Sequence, residues 1–146
     1  PNVVFFRHNK SKHFKFRDQV FSSSVVTVAS LSNRIKNSYT NDERMYFNPD
    51  GTLTPDGLEI ETNKVRTILR IALDNGHDSV VLGAFGCGVY NLLSSEVSRI
   101  FYNVLNEPEF KGNFKKIVFA ILEGKSRRGE LTGKDGKFKP FYDLFS

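Results

Sequence analysis

Four apolar runs punctuate the chain, and between them the hydrophobic spacing changes period. Asn2–Arg7 (NVVFFR), Ser24–Ala29 (SVVTVA), Ser79–Ala84 (SVVLGA) and Lys116–Leu122 (KIVFAIL) are short, rich in Val, Ile and Phe, and nearly continuous rather than alternating. Continuous runs predict strands covered on both faces, as in a parallel sheet. Two stretches carry helical spacing instead. In Glu61–Asn75, Val65, Ile68, Leu69 and Ala72 fall on one face, and Asn75-Gly76 supplies the stop, because glycine takes the left-handed conformation cheaply. In Ser95–Glu107, Val97, Ile100, Phe101, Val104 and Leu105 repeat the spacing, with Ser94 or Ser95 as the N-cap and Pro108 just beyond the end. Strand, helix, strand, helix, strand is the βαβ order of an α/β domain.

The connections add detail. Between Asn33 and Ile60 lies a long polar segment centred on NPDGTLTPDG, whose two Asp-Gly pairs are turn signals and predict a small hairpin around Thr52–Thr54. After Leu122 the chain turns polar and glycine-rich. Residues 123–146 read as a loop and C-terminal tail, with Lys139–Ser146 packing its aromatic residues back onto the core. No repeat is visible, and 146 residues make one domain, 1–146, with a single core.

Composition changes this picture little. Hydrophobic residues are 39% and charged residues 25%, a globular balance. The formal net charge of +5 favours an anionic partner, or serves solubility. A single cysteine, Cys87, excludes an intrachain disulfide and any zinc site built from several cysteines. No apolar run approaches the ~20 residues of a membrane span, and no targeting segment is visible. These features predict an intracellular protein, cytoplasmic or nuclear, with no membrane partner and no cofactor. The chain opens at Pro1 directly on an apolar run, as a chain does whose beginning lies elsewhere.

The candidate chemistry sits where the third run meets the second helix. In SVVLGAFGCGVYNLLSSEV, Gly83, Gly86 and Gly88 follow a strand at its carboxyl end. In open α/β sheets that is where ligands bind. Glycines let backbone amides curl around an anion ahead of a helix N-terminus. The loop holds no charged side chain, so an anion there is recognised by backbone alone. It matches neither the P-loop nor Gly-x-Gly-x-x-Gly. A phosphate cradle and a ligand-free tight turn both fit.

Other clusters read blandly. Cys87 is a small loop residue rather than a nucleophile, because His77 lies at the opposite end of the same strand. Asp74, His77 and Asp78 form a solvated turn rather than a metal site. RHNKSKHFKFR, at Arg7–Arg17, interleaves basic residues with Phe14 and Phe16. It fits a nucleic-acid surface less well than a solvated loop whose phenylalanines anchor it to the core. Arg127 and Arg128 follow the last run on the ligand side and reach either a phosphate or only solvent. Glu43 and Glu123 are the carboxylates to inspect as acids, and neither has supporting context.

VLGAFGCGVYNLLSSEVSRIFYNVL, followed by FKKIVFAILEG, resembles the second half of the microbial-type poly(ADP-ribose) glycohydrolases. NVVFFRH and SSVVTVASLSNR resemble that family's middle strands and the loop after them. The similarity runs in order from Val3 to Leu122, and GAFGCGVY is its specific part. It implies a three-layer αβα macrodomain with a mostly parallel sheet, lacking here its N-terminal strands and first helix. It implies ADP-ribose or its polymer as the ligand, not a nucleic acid. Gly86, Cys87, Gly88, Val89 and Tyr90 would hold the diphosphate and distal ribose, with Tyr90 against that ribose and Ser30 and Asn33 near the cleft. The family's run of three glycines and its neighbouring pair of glutamates have no counterpart, so no catalytic residue is assigned in this chain. The implied activity, hydrolysis of ribose–ribose O-glycosidic bonds, would need the missing half. The alternatives are an ADP-ribose reader without turnover and an interaction protein that keeps the fold alone. A partner chain or self-association would cover the sheet edge that the missing strands leave.

Overall fold

The chain's longest helix begins earlier than its apolar spacing implies. In the computed structural model, which describes residues 2–33, 43–123 and 136–146, helix α1 spans Pro55–Asp74. Thr54 is the N-cap and accepts a hydrogen bond from the Gly57 amide at 3.3 Å, while Pro55 fills the first turn, where no N–H is needed. The second Asp-Gly pair therefore belongs to the helix rather than to a turn. Gly57 is required there for packing, since a Cβ would stand 2.4 Å from the Tyr46 carbonyl oxygen. The first Asp-Gly pair does turn the chain. The Gly51 amide donates to the Asn48 carbonyl, and Phe47 bridges Leu53 in a minimal antiparallel hairpin.

Helix α2 spans Ser94–Leu105, and α3 spans Lys139–Phe145. The α2 N-cap is Leu93 rather than a serine, and the Ser94 hydroxyl donates instead to the Gly136 carbonyl at 2.7 Å. The expected return of the C-terminal aromatics to the core takes helical form. Phe141 of α3 is buried against Phe101 and Phe119, with ring centroids 6.3 and 5.0 Å away. Among the described residues, no helix is long and apolar enough to cross a membrane.

Strands β1 (Asn2–Arg7) and β2 (Phe16–Ser24) form an antiparallel hairpin, and β3 (Ser79–Leu82) pairs in parallel with β4 (Lys116–Phe119). The protein is thus mixed α/β, but its pairing is not mostly parallel. The Ser24–Ala29 run joins a ladder only at Ser24. Among the described residues, Val25–Ala29 have no strand partner and no hydrogen bond to their backbone groups. An apolar run promises burial, but a strand also needs a neighbour for its backbone.

Burial alternates beneath the continuous sequence of β3 and β4. Val80, Leu82, Ile117 and Phe119 join the helix-covered core, whereas Val81 is 74% exposed and Val118 is also exposed. Among the described residues, helices cover one face of the sheet and nothing covers the other. The hairpin is bare as well, with Val3, Val4, Phe5, Phe6, Val20 and Phe21 all exposed. Phe14 and Phe16 do not anchor to the core. Both are exposed, and Phe16 instead carries the Arg7 guanidinium 4.1 Å from its ring centroid.

Ion pairs join α1 to the segment after α2. Arg66 meets Glu107 through two guanidinium nitrogens, at 2.6–3.1 Å, and Arg70 meets Glu109. Hydrogen bonding to Arg66 holds the Glu107 carboxyl below its ordinary value of 4.5. A depressed folded-state pKa adds stability above the unfolded value, and that stability is lost as pH falls through the folded one. The pair is partly solvated, so Glu107→Gln should lower stability at neutral pH by no more than about 1 kcal/mol. In thermal melts the difference should close as pH falls through the depressed folded-state pKa, where both chains carry a neutral group. A gap that persists there would deny the ion pair its role.

Candidate functional site

The glycine loop leaves β3 and is shaped by its own backbone. The Phe85 amide donates to the Gly83 carbonyl, Cys87 to Ala84, Asn91 to Gly88, and Leu92 back to Gly86. Gly86 sits at φ +72°, a left-handed conformation that favours glycine. What the loop leaves unused matters more. Among the described residues, nothing accepts a hydrogen bond from the amides of Gly86, Gly88, Val89 or Tyr90. Val89 and Tyr90 are exposed, and a Cβ built on Gly88 would meet no atom within 4 Å. A run of unpaired N–H groups in a loop without charged side chains can receive an anion.

A second loop, Ser30–Asn33, lies against the first. The Asn33 amide donates to the Tyr90 carbonyl at 2.9 Å, and its side-chain amide reaches the Gly51 carbonyl at 3.4 Å. Ser30 packs on Gly86 so closely that a Cβ on the glycine would lie 2.3 Å from the Ser30 hydroxyl. The structure therefore brings together Ser30, Asn33 and Gly86–Tyr90.

Beneath them lies a residue that the apolar spacing passes over. Glu61 of α1 is 0% exposed. It accepts hydrogen bonds from the Ser30 hydroxyl at 2.6 Å and the Leu31 amide at 3.2 Å, with Lys64 at 3.6 Å. A signal was present. Glu61 stands four residues before Val65 on the stripe that continues to Leu69 and Ala72, and a carboxylate on a buried stripe must have partners.

Glu43 and Glu123, the candidate acids in the sequence, are both occupied. Glu43 accepts from the Ser32 amide at 2.6 Å. Glu123 accepts from the Phe138 amide at 2.8 Å and the Lys137 amide at 3.0 Å, and these bonds hold its carboxyl below the usual range. That favours the ionised form, not a proton donor at neutral pH. Glu96, in the first turn of α2, has its pKa raised by burial, partly offset by hydrogen bonding from the Leu53 amide. It pins the Asp50–Thr54 turn. Cys87 is buried, and burial pushes its thiol up to about 12, which leaves it a neutral packing residue.

At the other end of β3, His77 Nε2 lies 2.9 Å from the Ser24 hydroxyl, and Asp78 pairs with Lys115. Among the described residues, no three metal-ligating side chains gather. Arg127 and Arg128 lie outside the described residues.

No family model matches the chain, and no curated protein matches it in sequence. Solved structures do. The chain is similar to poly(ADP-ribose) glycohydrolase from Deinococcus radiodurans in complex with ADP-ribose, at 22% identity and a TM-score of 0.72, over 99% of this chain and 50% of that one. A point mutant of that enzyme, also in complex with ADP-ribose, aligns at 21% identity and a TM-score of 0.73, over 100% of this chain and 50% of that one. Another point mutant in complex with ADP-ribose aligns at 28% identity and a TM-score of 0.52, over 63% of this chain and 34% of that one. The chain therefore spans between a third and a half of the length of these structures. Its mixed α/β fold is that of the microbial poly(ADP-ribose) glycohydrolases, in keeping with the GAFGCGVY resemblance.

Proposed function

We propose that this chain, which shares its fold with microbial poly(ADP-ribose) glycohydrolases, is the diphosphate-holding part of an ADP-ribose-binding macrodomain of three αβα layers. The unpaired amides of Gly86, Gly88, Val89 and Tyr90 carry this reading. A diphosphate accepts several hydrogen bonds at once, and backbone donors held by a rigid loop give them with little reorganisation. Tyr90 would lie against the distal ribose. Ser30 and Asn33, already seated on the loop, would line the same cleft. The net charge of +5 draws such a ligand in.

Turnover is a separate matter. Cleavage of a ribose–ribose bond needs a carboxylic acid to protonate the leaving oxygen as an oxocarbenium-like centre forms. Glu43 and Glu61 are held by the Ser30–Ser32 loop, and Glu123 by backbone amides. None of these three is free to act as the acid, and we place the acid in the half of the fold that this chain does not match. What this chain gives a reaction is orientation of the ligand.

Calorimetric titration with ADP-ribose tests the reading. Saturable binding is expected, and Gly88→Glu should abolish it by placing a carboxylate in the open space before the amides, without unfolding the chain. If the folded parent chain takes up no ADP-ribose, or the variant binds as well as the parent, the loop is only a turn.

A further inference from the structure

We infer that the tip of the β1–β2 hairpin, Arg7–Arg17, is a binding surface for single-stranded nucleic acid, separate from the glycine loop. Arg7, Lys10, Lys12, Lys15 and Arg17 place five positive charges in eleven residues, with no carboxylate among them. That equals the net charge of the whole chain, +5. The nearest acid in sequence is Asp18. A charge excess gathered on one element attracts a polyanion more strongly than the same charge spread over a surface.

The phenylalanines decide which polyanion. A solvated loop would anchor Phe14 and Phe16 on the core, but they are 53% and 67% exposed, and Phe6 is 50% exposed. The cations are seated among these rings. The Arg7 guanidinium stands 4.1 Å from the Phe16 ring centroid and 5.8 Å from that of Phe6, and Arg17 stands 4.9 Å from that of Phe21. A phosphate held by either guanidinium therefore brings its own base against an exposed ring. Such stacking tolerates any base, because every base has a π-face, but it needs the base to be free of a duplex. Double-stranded DNA would meet the cations and leave the rings without partners.

The tip is built rather than loose. The His8 amide donates to the Lys15 carbonyl at 2.9 Å, the Phe14 amide to the Asn9 carbonyl at 3.1 Å, and the Arg7 side chain to the Phe14 carbonyl at 3.1 Å. His13 and Phe14 both hold φ +53°, a conformation that is costly for a residue with a Cβ. Strain of this kind collects at ligand-binding positions. The hairpin joins the body at Ser24, whose hydroxyl lies 2.9 Å from His77 Nε2, just before β3 begins. That is the end of β3 opposite to the glycine loop, so the two surfaces share no residue.

Fluorescence anisotropy of the full chain with labelled oligo(dT) and oligo(U), each of about 20 nucleotides, tests the inference. Neither the phosphate contacts nor the stacking reads the 2′-hydroxyl, so saturable binding to both is expected. Log affinity should fall against log salt with a slope of about −3.5, at ~0.7 for each of five phosphates neutralised. Replacing Lys10, Lys12 and Lys15 together with Gln should flatten the slope to about −1.4. Phe14→Ala should weaken binding about fivefold or more and leave the slope as it was. Absence of saturable binding by the folded chain would overturn the proposal, as would a duplex of the same length bound as tightly as the single strand. A slope unmoved by the lysine variant, or an affinity unmoved by Phe14→Ala, would do the same. Displacement by ADP-ribose would move the oligonucleotide to the glycine loop. Displacement by poly(ADP-ribose) that persists in Gly88→Glu would make that polymer the occupant of the hairpin instead. The ADP-ribose reading stands or fails separately, in the calorimetry.

Discussion

Replacing Gly86 with alanine should destabilise the fold by about 2–4 kcal/mol, more than any other single methyl added to the glycine loop. Two independent penalties combine. At φ +72°, a side chain would have to adopt the left-handed conformation, at roughly 1–2 kcal/mol. The new Cβ would also stand 2.3 Å from the Ser30 hydroxyl and 2.9 Å from Leu92 Cδ2, overlap that typically costs 1–3 kcal/mol to relieve, about as much again. Ser30 cannot simply turn away, because its hydroxyl is bonded to the buried Glu61. Gly88→Ala is the control. It has open space around it and no left-handed backbone, so its effect should stay within about 0.5 kcal/mol. Thermal melts of the two variants decide the matter, with Gly86→Ala expected to melt roughly 10 °C below the parent. Equal melting temperatures would mean that the Ser30–Gly86 contact is not part of the folded state.

The contrast between these glycines shows what a sequence makes legible. Strand, glycine turn and helix over Ser79–Leu105 were readable because local signals agree there: a β-branched run, residues permitting a turn, then apolar spacing of period 3.6. Which glycine packs and which opens was not readable, because that depends on Ser30, far away in the chain. The same limit explains the Ser24–Ala29 run. Its composition is that of a buried strand, but pairing belongs to two segments, and among the described residues no partner strand lies beside it. Strand β2 failed in the opposite way. Phe16–Ser24 has weak alternation and ends in three serines, and it became a strand because β1 offers an edge and Phe21 stacks on Phe5 at 4.9 Å. The start of α1 was hidden by reading Asp-Gly as a turn wherever it occurs, although Thr54-Pro55 is a helix-start signal.

Those misreadings share a cause with the bare face of the sheet. Val81, Val118 and Leu122 make the Ser79–Ala84 and Lys116–Leu122 runs continuous, and hence carry the expectation of cover on both sides. Among the described residues, helices α1, α2 and α3 supply one layer. Sequence reports the environment for which a residue is suited, and here that environment exceeds what the described residues build. The candidate loops are less affected, because Ser30–Asn33 and Gly86–Tyr90 are fixed from below by Glu61 and from the side by the Asn33–Tyr90 bond.

Glu61 is accordingly the other position where a single change should do most. Glu61→Ala removes the acceptor for the Ser30 hydroxyl and the Leu31 amide, and leaves space where a large side chain was fully buried. Unsatisfied buried donors and the cavity together should cost about 3–5 kcal/mol. Glu61→Gln keeps the shape and one oxygen acceptor, but turns the other acceptor into a donor facing the Leu31 amide. Its cost should be about 1–2 kcal/mol. A stability loss alone would not separate this role from that of any core residue. ADP-ribose titration separates them. Under conditions where both variants remain folded, Glu61→Gln should weaken binding by loosening Ser30 against Gly86. Val104→Ala, a core truncation in α2 away from both loops, should leave affinity unchanged while lowering the melting temperature. If the two variants bind alike, Glu61 supports the core and not the site. If affinity follows only Glu61, the buried carboxylate is the footing on which the glycine loop is set.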